Sequence, residues 1–151
     1  MRVLLKAVEH KRAKEQDSLT AARELVTDYR AEKRRIPGYG HRVHTDDPRT
    51  SRLFAIAEET GIAGEYVEMG GAIREAMGDI LGRDLPMNVD GGIAAVLCEL
   101  EFPPEMGNGM FAIARTVGLT AHVFDEIVNQ RPMRRISPTA QDYDGPPERN
   151  L

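Results

Sequence analysis

Apolar residues in this chain recur at every third or fourth position, and they nowhere alternate with polar ones for the length of a strand. Side chains three or four apart share a helical face, whereas those two apart share a strand face, so the spacing predicts helices and argues against a sheet. Ala, Leu, Met, Glu and Arg dominate and β-branched runs are few, which favours the same state. The reading is an all-α chain of five or six helices.

Punctuation residues place the helices. The first is predicted from about residue 2 to 15, with Val3, Leu4, Ala7 and Val8 on one face. Asp17-Ser18 offers an N-cap for a second, whose Ala22, Leu25, Val26 and Tyr29 share a face. Pro37 and two glycines then open a loop. Asp47-Pro48 pairs an acceptor side chain with a first-turn proline, starting a third helix that is expected to bury Leu53, Phe54, Ile56 and Ala57 and to stop near Gly61. A fourth is predicted over residues 63–81, using Tyr66, Ile73, Met77, Ile80 and Leu81, with Gly82 as its stop. A fifth begins near Asn88 and carries Ile93, Val96, Leu97 and Leu100. Phe102-Pro103-Pro104 breaks the chain and starts a long helix to about Gln130. Its Met110, Phe111, Ala114, Val117, Ala121, Phe124 and Val128 form a stripe too wide for five short helices to cover, so exposed Phe, Met or Val side chains are expected along it. The last twenty residues, rich in Pro, Arg, Asp and Gly, are expected to form an extended tail that packs against something.

Composition narrows the setting. At 151 residues the chain fits one domain of ordinary size. Its longest apolar run falls far short of the ~18 residues of a membrane span, and its first residues lack the apolar region of a secretory signal. The single cysteine, Cys98, excludes an internal disulfide and a cysteine zinc cage, suits the cytoplasm, and reads as a small core hydrophobe. Residues 1–35 hold ten Lys/Arg against six Asp/Glu within a chain of net charge −4. Those charges alternate along helices with one aromatic, Tyr29, among them, which describes a solvated face and not a nucleic-acid surface.

Two short segments, about fifty residues apart, carry chemistry. The first is Ile36-Pro37-Gly38-Tyr39-Gly40-His41-Arg42-Val43, followed by Asp47-Pro48-Arg49; the second is Pro86-Met87-Asn88-Val89-Asp90-Gly91. Gly38 and Gly40 let ligand atoms approach the main chain, although a plain helix-joining turn has the same composition. His41-x-x-His44 with Asp46 or Asp47 lacks a third ligand at usable spacing, so no metal is expected. Asp90 reads equally as a first-turn acid stabilised by the helix dipole and as a general base. Arg115, set among Phe111-Ala112-Ile113-Ala114 and Val117-Gly118-Leu119, calls for a carboxylate from the protein or from a ligand.

Taken in order with Phe111-Ala112-Ile113-Ala114-Arg115-Thr116-Val117-Gly118, these pieces resemble the citrate synthase family, four motifs in register over about eighty residues. The resemblance covers nearly the whole chain but only the C-terminal part of the family pattern. It implies that residues 1–102 form the small, CoA-binding domain and residues 103–151 the returning portion of the large domain. It also implies that Asp90 takes a proton from the acetyl-CoA methyl group and that His41 polarises and protonates the oxaloacetate carbonyl. Arg49 and Arg115 would grip substrate carboxylates, and Arg135, or Arg134 in a shifted register, would reach the other subunit's site. Pro37, Gly38, Tyr39, Gly40 and Arg42 would wrap the CoA adenine. The substrates so implied are acetyl-CoA or another acyl-CoA with oxaloacetate, as in the tricarboxylic acid cycle, with no cofactor beyond the CoA thioester. The implied partner is a second copy in a homodimer, or the missing large-domain portion.

The family's further histidine, which supports the enolate from a glycine-rich motif upstream, has no counterpart here. His10, in Val8-Glu9-His10-Lys11-Arg12, reads as a surface residue of a charged helix. The expectation is therefore a fragment, a truncated product or one half of a split enzyme, and a poor catalyst alone. Asn88-Val89-Asp90-Gly91 and Gly118-Leu119-Thr120-Ala121-His122 with Asp125 also resemble citryl-CoA lyases, which run the same bond in reverse. A non-catalytic remnant that binds CoA or associates with a homologue is the alternative from another class.

Overall fold

A computed structural model describes residues 1–42, 45–133 and 135 of the chain. The expected tail therefore lies almost wholly outside the described residues, as do Val43, His44 and Arg134. The helices are α1 (Arg2–Ala13), α2 (Ser18–Ala31), α3 (Pro48–Glu59), α4 (Glu65–Leu81), α5 (Val89–Glu99) and α6 (Gly107–Asn129), the last preceded by a 3-10 turn at Pro104–Met106. Among the described residues there is no strand, only an isolated antiparallel bridge between Tyr39 and Met87. No helix is long and apolar enough to cross a membrane, among the same residues. The chain divides into two compact units, Met1–Ile113 and Ala114–Leu151.

In the first unit α4 is the hub, packed against α1, α2 and α5, while α3 is carried by α5. Ala7, Ala21, Ala22, Ala76 and Ala95 are fully buried in the core, which lets the helices close on the larger Val8, Val26, Met69 and Ile73. Cys98 belongs to the same core, and burial pushes its thiol up, the state of an inert buried sulfur.

The caps explain the boundaries. Asp17 accepts from the Thr20 amide at the start of α2, and Asp47 from the Arg49 amide at the start of α3. Gly82, left-handed at φ +66, ends α4. α1 stops at Ala13, two residues short of expectation, because Glu15 turns to a left-handed φ of 52. The start of α4 falls at Glu65, where one Glu99 carboxylate oxygen accepts from the amides of Gly64, Tyr66 and Val67. The first four amides of a helix lack intrahelical partners, and here a neighbouring helix supplies one for three amides at this end.

Two burial expectations need correction or extension. Of the four residues expected to be buried on α3, Ala57 is buried, Leu53 and Phe54 are half-covered, and Ile56 is 41% exposed. The reason is that α3 meets α5 without being enclosed, so one side of the helix stays in solvent. α6 has no buried residue, and Val117, Phe124, Ile127 and Val128 stand exposed along it.

Candidate active site

The loop after α2 is held on the lead-in to α5 by main-chain bonds. The Gly40 amide donates to the Pro86 carbonyl at 2.7 Å, and the Asn88 amide donates to the Gly38 carbonyl at 3.0 Å. Both glycines have left-handed backbones, φ +91 at Gly38 and +87 at Gly40, which other residues adopt only with strain. Space is equally restrictive: a Cβ on Gly38 would lie 2.9 Å from the Gly91 Cα, and one on Gly91 only 2.5 Å from the Gly38 oxygen. The two glycine-bearing segments thus meet backbone to backbone.

Asn88 fastens the junction with its side chain. Its Oδ1 accepts from the Asp90 and Gly91 amides, capping α5, while its Nδ2 donates to the Gly40 carbonyl at 3.0 Å. His41 follows Gly40 directly, and Asp90 sits two residues after Asn88, so the candidate acid and base stand on adjoining, hydrogen-bonded segments. Both side chains are exposed. Tyr39 is anchored to α4: its hydroxyl donates to the Gly70 carbonyl at 2.8 Å, and burial raises the phenol above its ordinary value.

Asp47 is the most heavily used carboxylate of the site. Only 1% exposed, it accepts from the Arg49 amide at 3.1 Å, from Arg49 Nε at 2.9 Å and Nη2 at 2.8 Å, and from the Val89 amide at 3.0 Å. The Arg49 side chain, first, and the main-chain donors hold Asp47 well below the usual carboxylate range. Asp47 raises Arg49 in turn, and the charge of Asp90 adds to that, which places the guanidinium within the field of the candidate base. One buried acid therefore ties the start of α3 to the start of α5 and orients Arg49 by a two-point grip.

Beside this junction the first unit has a cleft of about 650 Å³. Among the described residues Asp90 is the single carboxylate on its wall, which Arg2 and Asn108 share; Pro37, Gly38 and Tyr39 line it too, and Met87, Leu97 and Phe111 lend it an apolar surface. Gly40, His41, Arg42 and Arg49 do not line it. Arg115 and Arg135 are exposed residues of the second unit. His10 bonds Glu24 through Nε2 at 2.6 Å on α1; Lys14 first, then His10 and Gln16, bring the Glu24 carboxyl down to about 2. That is a surface charge cluster. His44, which the discarded metal reading needed, lies outside the described residues, and among those described no group of three or more His, Cys, Asp or Glu could hold a metal ion.

Comparison with known proteins gives this arrangement a family. The model of the citrate synthase C-terminal domain matches residues 2–136. The chain belongs to the citrate synthase family. Citrate synthase from Haloferax volcanii is 34% identical over 115 residues, 74% of this chain and 30% of that protein. Citrate synthase 2 from Bacillus subtilis is 34% identical over 118 residues, 76% of this chain and 30% of that protein. The chain thus spans about a third of the length of these curated relatives. Among solved structures, citryl-CoA lyase from Hydrogenobacter thermophilus superposes with a TM-score of 0.73 at 34% identity, covering 98% of this chain and 57% of that one. Citrate synthase from Thermotoga maritima superposes at 0.67 and 28% identity, covering 99% and 39%. The all-α fold is that of citrate synthase-family proteins.

Within that fold, two residues join the segments of the candidate site: Asp47, which the sequence marks as a helix cap, and Asn88, which it marks only as a helix start. Asp47 bonds Val89 across 42 positions and Asn88 bonds Gly40 across 48. The available signal was an Asp and an Asn at helix starts, each beside a residue already singled out for chemistry.

Proposed function

We propose that this chain supplies the base, the proton donor and part of the carboxylate clamp of a citrate synthase-type site. The observation that carries the reading is Asp90, among the described residues the lone carboxylate of a largely apolar cleft, seated beside the glycine loop that leads to His41. Asp90 removes a proton from the methyl group of acetyl-CoA, or of another acyl-CoA. The enolate carbon then attacks the carbonyl carbon of oxaloacetate, and His41 gives its proton to the carbonyl oxygen as the new bond forms. Water cleaves the resulting citryl thioester to citrate and CoA. Arg49, already oriented by Asp47, receives a substrate carboxylate, and Arg115 and Arg135 complete the clamp, Arg135 across a homodimer. The Pro37–Arg42 loop receives CoA, with no other cofactor. Gly38 and Gly40 spend several of their main-chain groups on Pro86 and Asn88, so the loop meets CoA as a preformed turn. Residues 1–102 are read as the CoA-binding domain and 103–151 as the return to the large domain, in a cytoplasmic enzyme of central carbon metabolism.

The higher likeness to the Hydrogenobacter citryl-CoA lyase supports a second reading, in which the same groups cleave citryl-CoA to acetyl-CoA and oxaloacetate. The same residues serve both directions by microscopic reversibility.

The 151 residues alone are expected to turn over near background, since they hold no counterpart of the family's oxyanion histidine, a loss on the order of 10²–10³ in rate. Mixing the chain with a polypeptide carrying the preceding part of the family fold is expected to restore activity. Citrate formation and citryl-CoA cleavage, assayed side by side, assign the direction. In that mixture Asp90→Asn is expected to lower kcat by about 10²–10⁴ with KM little changed. Unchanged turnover in Asp90→Asn removes Asp90 from the reaction, and CoA binding without turnover in either direction leaves the non-catalytic remnant.

A further inference from the structure

At the candidate site residues 37–42 and the pair Asp46 and Asp47 meet the segment from Asp84 to Asp90, and one residue of α4 grips Asp46 and Asp84. Arg74 donates from Nε and Nη2 to the two oxygens of Asp84, at 2.9 and 2.8 Å. Its Nη1 donates to Asp46 at 3.2 Å. All three guanidinium nitrogens are thereby committed, and the planar fork fixes the angle between its two partners. Asp46 precedes the buried Asp47 that orients Arg49 and holds the Val89 amide. Asp84 lies two residues before Pro86, whose carbonyl holds the Gly40 amide. Arg74 itself does not line the cleft.

We propose that Arg74 is a positioning residue, which sets the loop bearing His41 against the segment bearing Asp90. Its catalytic meaning rests on the function proposed above, but its mechanical role does not. Each bond joins partly exposed groups and is individually modest. Their joint effect comes from geometry, since one rigid fork spans two segments that must keep register for Asn88 to reach Gly40. A lysine would keep the charge but, as a single ammonium on a flexible stem, would not hold both carboxylates in that geometry.

The test needs no turnover, so it fails separately from the proposed reaction. Amide hydrogen exchange and imidazole resonances are followed by NMR in the whole chain, in Arg74→Leu and in Arg74→Lys. In Arg74→Leu, exchange at Gly40 and Asn88 is expected to accelerate about fivefold, the equivalent of ~1 kcal/mol of local opening. Core amides such as Val26 and Ala95 are expected to keep their rates, and the His41 ring signals to move while those of His10 stay. Arg74→Lys is expected to recover part of the protection. Unchanged Gly40, Asn88 and His41 signals overturn the proposal. So does uniform acceleration through the core, which marks a general stabiliser, and so does complete rescue by lysine, which marks a simple charge.

Discussion

Helices α5 and α6 are both rich in apolar residues and differ in what becomes of them. α5 buries Gly91, Gly92, Ala95, Leu97 and Cys98 where it packs against α1, α3 and α4. α6 is twice as long and buries nothing, with Val117 at 76% exposure and Ile127 at 74%. Hydrophobicity alone thus does not decide burial. The small residues of α5 let neighbours come close, and the close approach is what presents Asp90 beside the glycine loop. The large, evenly spaced side chains of α6 form a surface of the kind that another polypeptide covers.

That contrast can be broken or sharpened by substitution, beginning where the effect is largest. Ile73, fully buried on α4, should lose about 2–5 kcal/mol of stability as Ile73→Ala, read from the urea midpoint. A loss near zero would mean the first unit is not the packed half of the comparison. Gly91→Ala drives a methyl to 2.5 Å from the Gly38 oxygen and 2.7 Å from Met87 Cγ, so overpacking of about 1–3 kcal/mol is expected. Faster exchange of the Asn88 amide should accompany it; wild-type rates there would show that the two segments separate without cost.

Asp47→Asn should cost about 1–2 kcal/mol near neutral pH, because the bonds from Arg49 weaken. Its pH signature is more specific. The folded-state value of Asp47 is depressed, so its contribution is present above the unfolded carboxylate range and is lost as pH falls from about 4 toward the folded value. Wild-type stability should therefore decline on acidification more steeply than that of Asp47→Asn, and parallel curves would contradict the assignment. The smallest effect belongs to Ile127→Ala on α6, expected within about 0.5 kcal/mol by the same urea assay. Replacing Phe124 and Val128 by serine should reduce binding of a hydrophobic dye; a wild-type chain that binds none and sediments as a monomer would argue that the stripe has no partner to meet.

Much of this was legible in the sequence because it is local. Asp17, Asp47 and Asn88 announce helix starts through bonds to amides two or three residues on, and Gly82 announces a stop through its own backbone. The all-α architecture follows from spacing and from such signals. What was not legible depends on distance in the chain. Nothing near Asp47 indicates that its second oxygen, which binds Arg49, also accepts from Val89, and nothing near Asn88 indicates Gly40. The burial expected of Ile56 failed for the same reason, since periodicity defines a face but not whether a neighbour arrives to cover it. At Glu65 the helix start is set by Glu99, an acid with no local mark of that role.

The Glu99 cap also bears on how the chain is made. α4 leaves the ribosome well before the residue that satisfies its first amides, which for Gly64 lies 35 positions downstream. Until then those amides depend on water, and the hub helix has a frayed beginning. Completion of α5 delivers the carboxylate to that end and completes the Asn88 junction at the other end of the same helix. A nascent chain arrested before residue 99 has emerged from the ribosome should be open to proteases at the start of α4, and one arrested after it has emerged should be closed there. The unit that holds Asp90 thus gains the cap of its hub helix only once the last residue of α5 is available.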